Sequence, residues 1–247
     1  MLRQIPRTLA MWLAVTLCGQ ALAADQSFSS VMTSINIDPG QRAAEVTDVN
    51  GSIHIGANAV VGQVSDVNGS IHLDQAASAA SVTTVNGSVH IGSGAHVSDG
   101  VHTVNGSVTL ENAADVAGPL SAVNGSMIVT NGHVGRSVSN VNGVIRVLNS
   151  HVGGDVTSVN GGIEIGANSK VDGGLRVRPN EGNGWFNWWN FLFFSRTPPR
   201  IVIGPGAVVT GPLVFEQEVK LYISDRATVG PIKGATAIRY SGERPPE

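Results

Sequence analysis

"DVNGSIHIGANAVVGQVSDVNGSIHL", Asp48 to Leu73, states nearly the same phrase twice, with Asn50 and Asn68 eighteen residues apart. The Val-Asn-Gly unit continues at Asn86, Asn105, Asn124, Asn142 and Asn160, always 18 or 19 residues on. Apolar residues hold fixed offsets from each asparagine. Four before it stand Val46, Val64, Val82, Val101, Leu120, Val138 and Val156, and directly before it stands valine every time. Three and five after it come Ile53 and Ile55, then Ile71 and Leu73, then Val89 and Ile91, and so on to Ile163 and Ile165. Such alternation marks strands with one buried face. Most of these residues are β-branched, as a pleated surface prefers.

Two architectures fit the pattern. Asn-Gly between strand-like runs is ordinarily a hairpin signal, so a meander of about fourteen short strands is one of them. Strands this short are marginal in antiparallel pairs. Winding the chain once per repeat instead sets valine on valine and asparagine on asparagine, which explains why all the columns match together. The favoured expectation is therefore an all-β, single-stranded parallel β-helix with an 18–19-residue repeat, the meander standing as its alternative. In such a solenoid the glycine turns a corner through φ > 0. Asn50, Asn68, Asn86, Asn105, Asn124, Asn142 and Asn160 then form an amide ladder along that corner, a scaffold feature and not an active site.

The register extends past the obvious copies. Val31 to Ile37 aligns with Val49 to Ile55, and Ile201, Ile203, Gly204, Ala207 and Val209 repeat the second half of the unit, as do Ala227, Val229, Gly230 and Ile232. About ten rungs at ~4.8 Å each make a rod of roughly 48 Å. The expected divisions are the Val-Asn-Gly β-helix over 24–178, an inserted loop over 179–200, further rungs over 201–240 and a tail over 241–247.

Residues 1–23 have the form of a cleaved secretory signal peptide. Arg3 and Arg7 precede an uncharged run from Leu9 to Leu17, and Ala21-Leu22-Ala23 supplies a small-x-small cleavage site. The run is too short for a membrane span, which needs about 20 apolar residues. Cys18 is the single cysteine of the chain, and Val15-Thr16-Leu17 before it is a poor lipidation site. Beyond the leader no thiol is left for a disulfide, a thiolate metal site or a cysteine nucleophile. With 15 basic and 18 acidic residues and a formal charge of −3, nucleic acid is not an expected partner. The chain is expected to be exported, to the periplasm or the outer cell surface.

One stretch breaks the repeat. Where the next Val-Asn-Gly corner is due after Val177, the chain reads "GWFNWWNFLFF" from Gly184 to Phe194. Trp185, Phe186, Trp188, Trp189, Phe191, Phe193 and Phe194 include three of the four tryptophans and four of the six phenylalanines. Three surfaces compete for this docking loop: the flank of the rod itself, a membrane interface, and another protein or a second copy in a homo-oligomer. Tryptophan suits the headgroup zone, and Arg176, Arg178, Arg196 and Arg200 flank the loop where anionic lipid would meet them.

The Val-Asn-Gly-Ser-Ile repeats resemble those of bacterial adhesin-like β-helix proteins. The Ile-Gly-x-x-Ala-x-Val phrases at Ile55 and Ile203, and the variant at Ile165 with Ser169 in the alanine position, resemble bactofilins, polymer-forming β-helical proteins. Together these phrases cover about Val31 to Tyr240. The resemblance implies a β-helix with a structural or surface role and supplies no catalytic residues. The leader departs from the bactofilin pattern, since bactofilins are typically cytoplasmic.

Candidate chemistry is sparse. His54, His72 and His90 share one outward column, with Asn36 before and Thr109 after, so their imidazoles stack at about ~4.8 Å. Histidine is a common metal ligand, but no carboxylate is visibly arranged to complete a tetrahedral set. Asp48 and Asp66 make an acidic pair on a neighbouring column, and His133 and His151 a two-member column. No Gly-Lys-Ser/Thr loop, Gly-x-Ser-x-Gly elbow or His-Glu-x-x-His motif occurs. The expectation is a non-catalytic structural, adhesin-like or self-assembling envelope protein without metal or cofactor. The alternative is a carbohydrate-binding or carbohydrate-active β-helix that uses outward Ser, Thr, Asp and His columns.

Overall fold

The computed structural model describes residues 26–179 and 198–246. The leader over 1–23 and the aromatic residues from Trp185 to Phe194 lie outside the described residues. Among those described, the regular elements are strands, and they wind as a parallel β-solenoid. One side is an eleven-strand sheet with one strand per coil, from Ile35–Ile37 through Ile53–Ile55 to Ala237–Tyr240. Its register is like on like, with Ile53 on Ile71, Ile71 on Val89 and Ile145 on Ile163. An eighteen-strand sheet wraps the rest. Early coils cross it as single long strands, such as Val60–Asp66, and later coils break that strand in two, as in His96–Val97 and Val101–Asn105.

Eleven coils stand where the repeats suggested about ten. Lys220–Ser224 and Ala237–Tyr240 are full rungs, although no Val-Asn-Gly corner precedes them. The β-helix is thus the architecture, and the meander is excluded by the parallel pairing of each coil on the next.

The core is a thin column inside the coil. Residues four before, three after and five after each asparagine are buried, as Val64, Ile71 and Leu73 illustrate at 0% exposure. Burying one such side chain contributes roughly 1.5–3 kcal/mol. The valine directly before the asparagine is different: Val67, Val85, Val104, Val123 and Val141 form an outward ridge, 36–40% exposed. Alternation from the buried Val46 column forces this result, because the residue two after it must also point inward. That inward slot holds Asp48 and Asp66, which are therefore buried instead of standing among the outward columns.

Higher on the rod the same slot holds Thr84, Thr103, Ala122, Asn140 and Ser158. Except at Ala122, a hydroxyl or amide here can donate to a corner carbonyl, as Thr103 does to Gly87 at 3.1 Å and Asn140 to Gly125 at 2.7 Å. A carboxylate has no proton to give. Asp48 Oδ2 and both carboxyl oxygens of Asp66 have no hydrogen-bond partner. Burial pushes the Asp66 carboxyl up, with nearby Asp48 adding to it, while the Val67 and Asn68 amides pull the other way.

The corner glycine meets the φ > 0 expectation only in part. Gly125 and Gly143 turn at φ +146° and +128°, whereas at Gly51, Gly69, Gly87, Gly106 and Gly161 φ lies outside the left-handed region and the reason for glycine is close approach. A Cβ on Gly69 would sit 1.5 Å from the Gly51 carbonyl oxygen, and one on Gly87 1.7 Å from that of Gly69. Positive φ also recurs at another corner, at Asn58, Ala76, Gly94, Ala113, Asn131, Asn149 and Asn168. The coil closes over the insertion without a break: Ile201 stacks on Ile163 and Leu213 on Leu175.

Candidate functional site

Two kinds of outward column run along the rod. The asparagine corner keeps one residue throughout. Asn68 donates to Asn50 at 2.9 Å, and the chain of amides continues to Asn160, which donates to Asn142 at 2.8 Å. Each amide there holds its neighbour, so the ladder's polar capacity is spent on register.

The middle position of the eleven-strand sheet instead changes from coil to coil. It reads Asn36, His54, His72, His90, Thr109, Ile128, Arg146, Glu164, Val202, Tyr222 and Ile238. Stacking brings the three imidazoles together. The His54 and His72 rings lie 5.3 Å apart and 7° from parallel, and those of His72 and His90 lie 4.4 Å apart at 1°.

Carboxylates that sequence reasoning did not place complete this cluster. Asp74 follows the strand Ile71–Leu73 at the turn, and its two oxygens reach His54 Nε2 at 3.1 Å and His72 Nε2 at 3.2 Å. Coils before and after carry Gly56 and Gly92 in the corresponding slot, so Asp74 is the side chain that serves both imidazoles. Glu111 takes that slot one coil further and meets His90 Nε2 at 3.0 Å. Burial lowers the His72 pKa, helped by His90 and His54 and opposed by Asp74 and Glu111. The imidazole is thereby biased toward its neutral, lone-pair-bearing form.

A second column on the eighteen-strand sheet joins His96, Asp115, His133, His151 and Lys170. His133 and His151 do stack, at 5.1 Å with a 37° tilt, but the column is longer than that pair. Asp115 bridges His96 Nδ1 at 2.7 Å and His133 Nδ1 at 2.5 Å. Desolvation works to raise the Asp115 carboxyl, yet the bonds and charges of His133 and His96 outweigh it and leave it below the ordinary range. Asp172 is likewise held low, by Lys170 first and then His151.

Near the other end of the eleven-strand sheet, Arg146 pairs with Glu164 at 3.1 Å. They line a cleft of about 640 Å³ with Arg200, Val202 and Arg244. Arg200 also lies over the Tyr222 ring, 5.1 Å from its centroid. Comparisons with family models, curated proteins and solved structures find no match.

Proposed function

We propose that this chain is an exported, non-catalytic β-helical scaffold of the cell envelope that attaches through the aromatic segment from Trp185 to Phe194. One observation carries the reading. The coils on either side of the insertion stack directly, Ile201 on Ile163 and Leu213 on Leu175, so the rod's continuity does not require the inserted residues. A seven-aromatic sequence that the scaffold does not need has its use elsewhere. The segment follows Arg178 in the chain, and the Arg178 amide bonds the Ser158 carbonyl on the corner along which the valine ridge runs. Apolar surface displayed at one corner suits attachment to a membrane interface or a second copy.

Replacing Gly184 to Phe194 with a short Gly/Ser linker tests this. The expected result is an unchanged melting temperature together with loss of binding to anionic vesicles, or a fall in particle size. A variant that still assembles and still binds vesicles as the parent does would refute it. A second reading, carbohydrate binding, is favoured by the cleft of Arg146, Glu164, Arg200 and Arg244, whose guanidinium groups suit acidic sugars. A glycan screen with Arg146→Ala as control separates the two.

A further inference from the structure

We propose that His54, His72 and Asp74 form a binding site for a divalent transition-metal ion of the Zn2+ class on the outer surface of the eleven-strand sheet. The site rests on side-chain geometry and is independent of attachment through the aromatic segment. Zn2+ takes imidazole nitrogen and carboxylate oxygen at about 2.0–2.2 Å in a tetrahedral set, which places two ligand atoms about 3.3 Å apart. Asp74 Oδ2 stands 3.1 Å from His54 Nε2, close to one edge of such a tetrahedron, and its other oxygen, Oδ1, stands 3.2 Å from His72 Nε2. One ligand atom from each of the three residues lies within 4.8 Å of the others. Closing the set on one Asp74 oxygen requires that the carboxylate turn and that the two imidazoles, 46% and 44% exposed, tip toward one another.

The donor set selects the class of ion. Two imidazoles and one carboxylate suit Zn2+, Ni2+ or Cu2+, whereas Mg2+ and Ca2+ prefer oxygen throughout. Rigid spacing favours the site, because neighbouring coils pin His54 on His72 by backbone pairing. A fourth position faces solvent and is open to water or to a donor from a partner molecule. His90 is stacked on His72 but turned to its own carboxylate, Glu111, so it flanks the site.

The test is calorimetric titration of the full chain, without a histidine tag, with ZnCl2, MgCl2 and CaCl2. One Zn2+ per chain is expected, with no heat from Mg2+ or Ca2+. His72→Asn and Asp74→Asn should each weaken Zn2+ binding at least tenfold while the circular dichroism spectrum is unchanged. Asparagine is tolerated in the histidine slot, since Asn36 occupies it one coil before His54. Loss of binding in His96→Asn but not in these variants would place the ion on the other column and overturn the assignment. So would Zn2+ binding by the parent no stronger than that of the triple variant His54→Asn, His72→Asn, Asp74→Asn.

Discussion

Replacing Asp66 by threonine should make the solenoid more stable, which is unusual for a fully buried position. Asp66 is 3% exposed, and neither carboxyl oxygen has a hydrogen-bond partner. Threonine is what the next two coils carry in the same slot, and Thr84 donates to the Gly69 carbonyl at 3.3 Å. The equivalent acceptor for residue 66 is the Gly51 carbonyl. Removing an unpartnered buried polar group recovers about 1–3 kcal/mol. At about 2 kcal/mol, and about 2–4 °C per kcal/mol for a chain of this size, melting should rise by roughly 4–8 °C at pH 7.

The sign of the pH dependence follows from the raised Asp66 pKa. A carboxyl raised above its unfolded value of about 3.9 favours the fold below that value, and loses that contribution as pH rises through the folded pKa. The parent therefore carries the burden of Asp66 at neutral pH and is relieved of it in acid. Thermal melts of parent and Asp66→Thr at pH 7 and pH 4 decide the matter. The advantage of the variant should be full at pH 7 and smaller at pH 4. A variant no more stable at pH 7, or an advantage that persists undiminished at pH 4, would refute the reasoning.

Further outcomes follow from the corners and columns of the coil. Gly69→Ala should cost about 3 kcal/mol or more, since its Cβ meets the Gly51 carbonyl at 1.5 Å. Gly94→Ala, with φ +68° and open space around it, should cost about 1 kcal/mol, and urea titration of the two variants compares them. Asn105→Ala removes two ladder hydrogen bonds, to Asn86 and from Asn124, and should destabilise by about 1–2 kcal/mol, roughly twice the effect of Asn50→Ala at the ladder's end. Asp115→Asn should cost about 0.5–1 kcal/mol at pH 6, the pair being partly exposed and screened. Because Asp115 is held below its ordinary value, its contribution is present above pH ~3.9 and disappears as pH falls through the lower folded value, so the gap between urea titrations of parent and variant should narrow as pH falls below ~3.9.

The coil was legible because a solenoid stacks identical slots, so any residue that serves one rung recurs at the next. Ile53, Ile71 and Val89 are adjacent in space for the same reason that they are 18 residues apart in the chain. The valine before each asparagine recurs as faithfully as the core residues do, yet recurrence alone does not tell inside from outside. Counting by twos from Val46 does, and it puts Asp48 in the core and Val49 beyond it. Glycine recurrence was equally ambiguous, since close approach and positive φ leave the same trace in sequence. The histidine–carboxylate pairs were hidden for another reason. Asp74 reaches back across the coil boundary from a turn, and the column of His96, Asp115 and His133 is obscured because the repeat length changes between 18 and 19 residues along it.

A repetitive scaffold separates folding from function in a way that compact folds do not. Every coil offers the middle strand position of the eleven-strand sheet the same backbone pairing and the same outward direction. The scaffold accepts histidine, threonine, isoleucine, arginine, glutamate and tyrosine there in turn. Folding therefore does not dictate what that column contains, whereas it does dictate the asparagines, the corner glycines and the inward aliphatics. Three consecutive histidines, two of them sharing one carboxylate, are thus not explained by the coil that holds them, any more than the aromatic insertion is. Both lie where the repeat leaves freedom, and the chemistry of this molecule is to be sought in those two places.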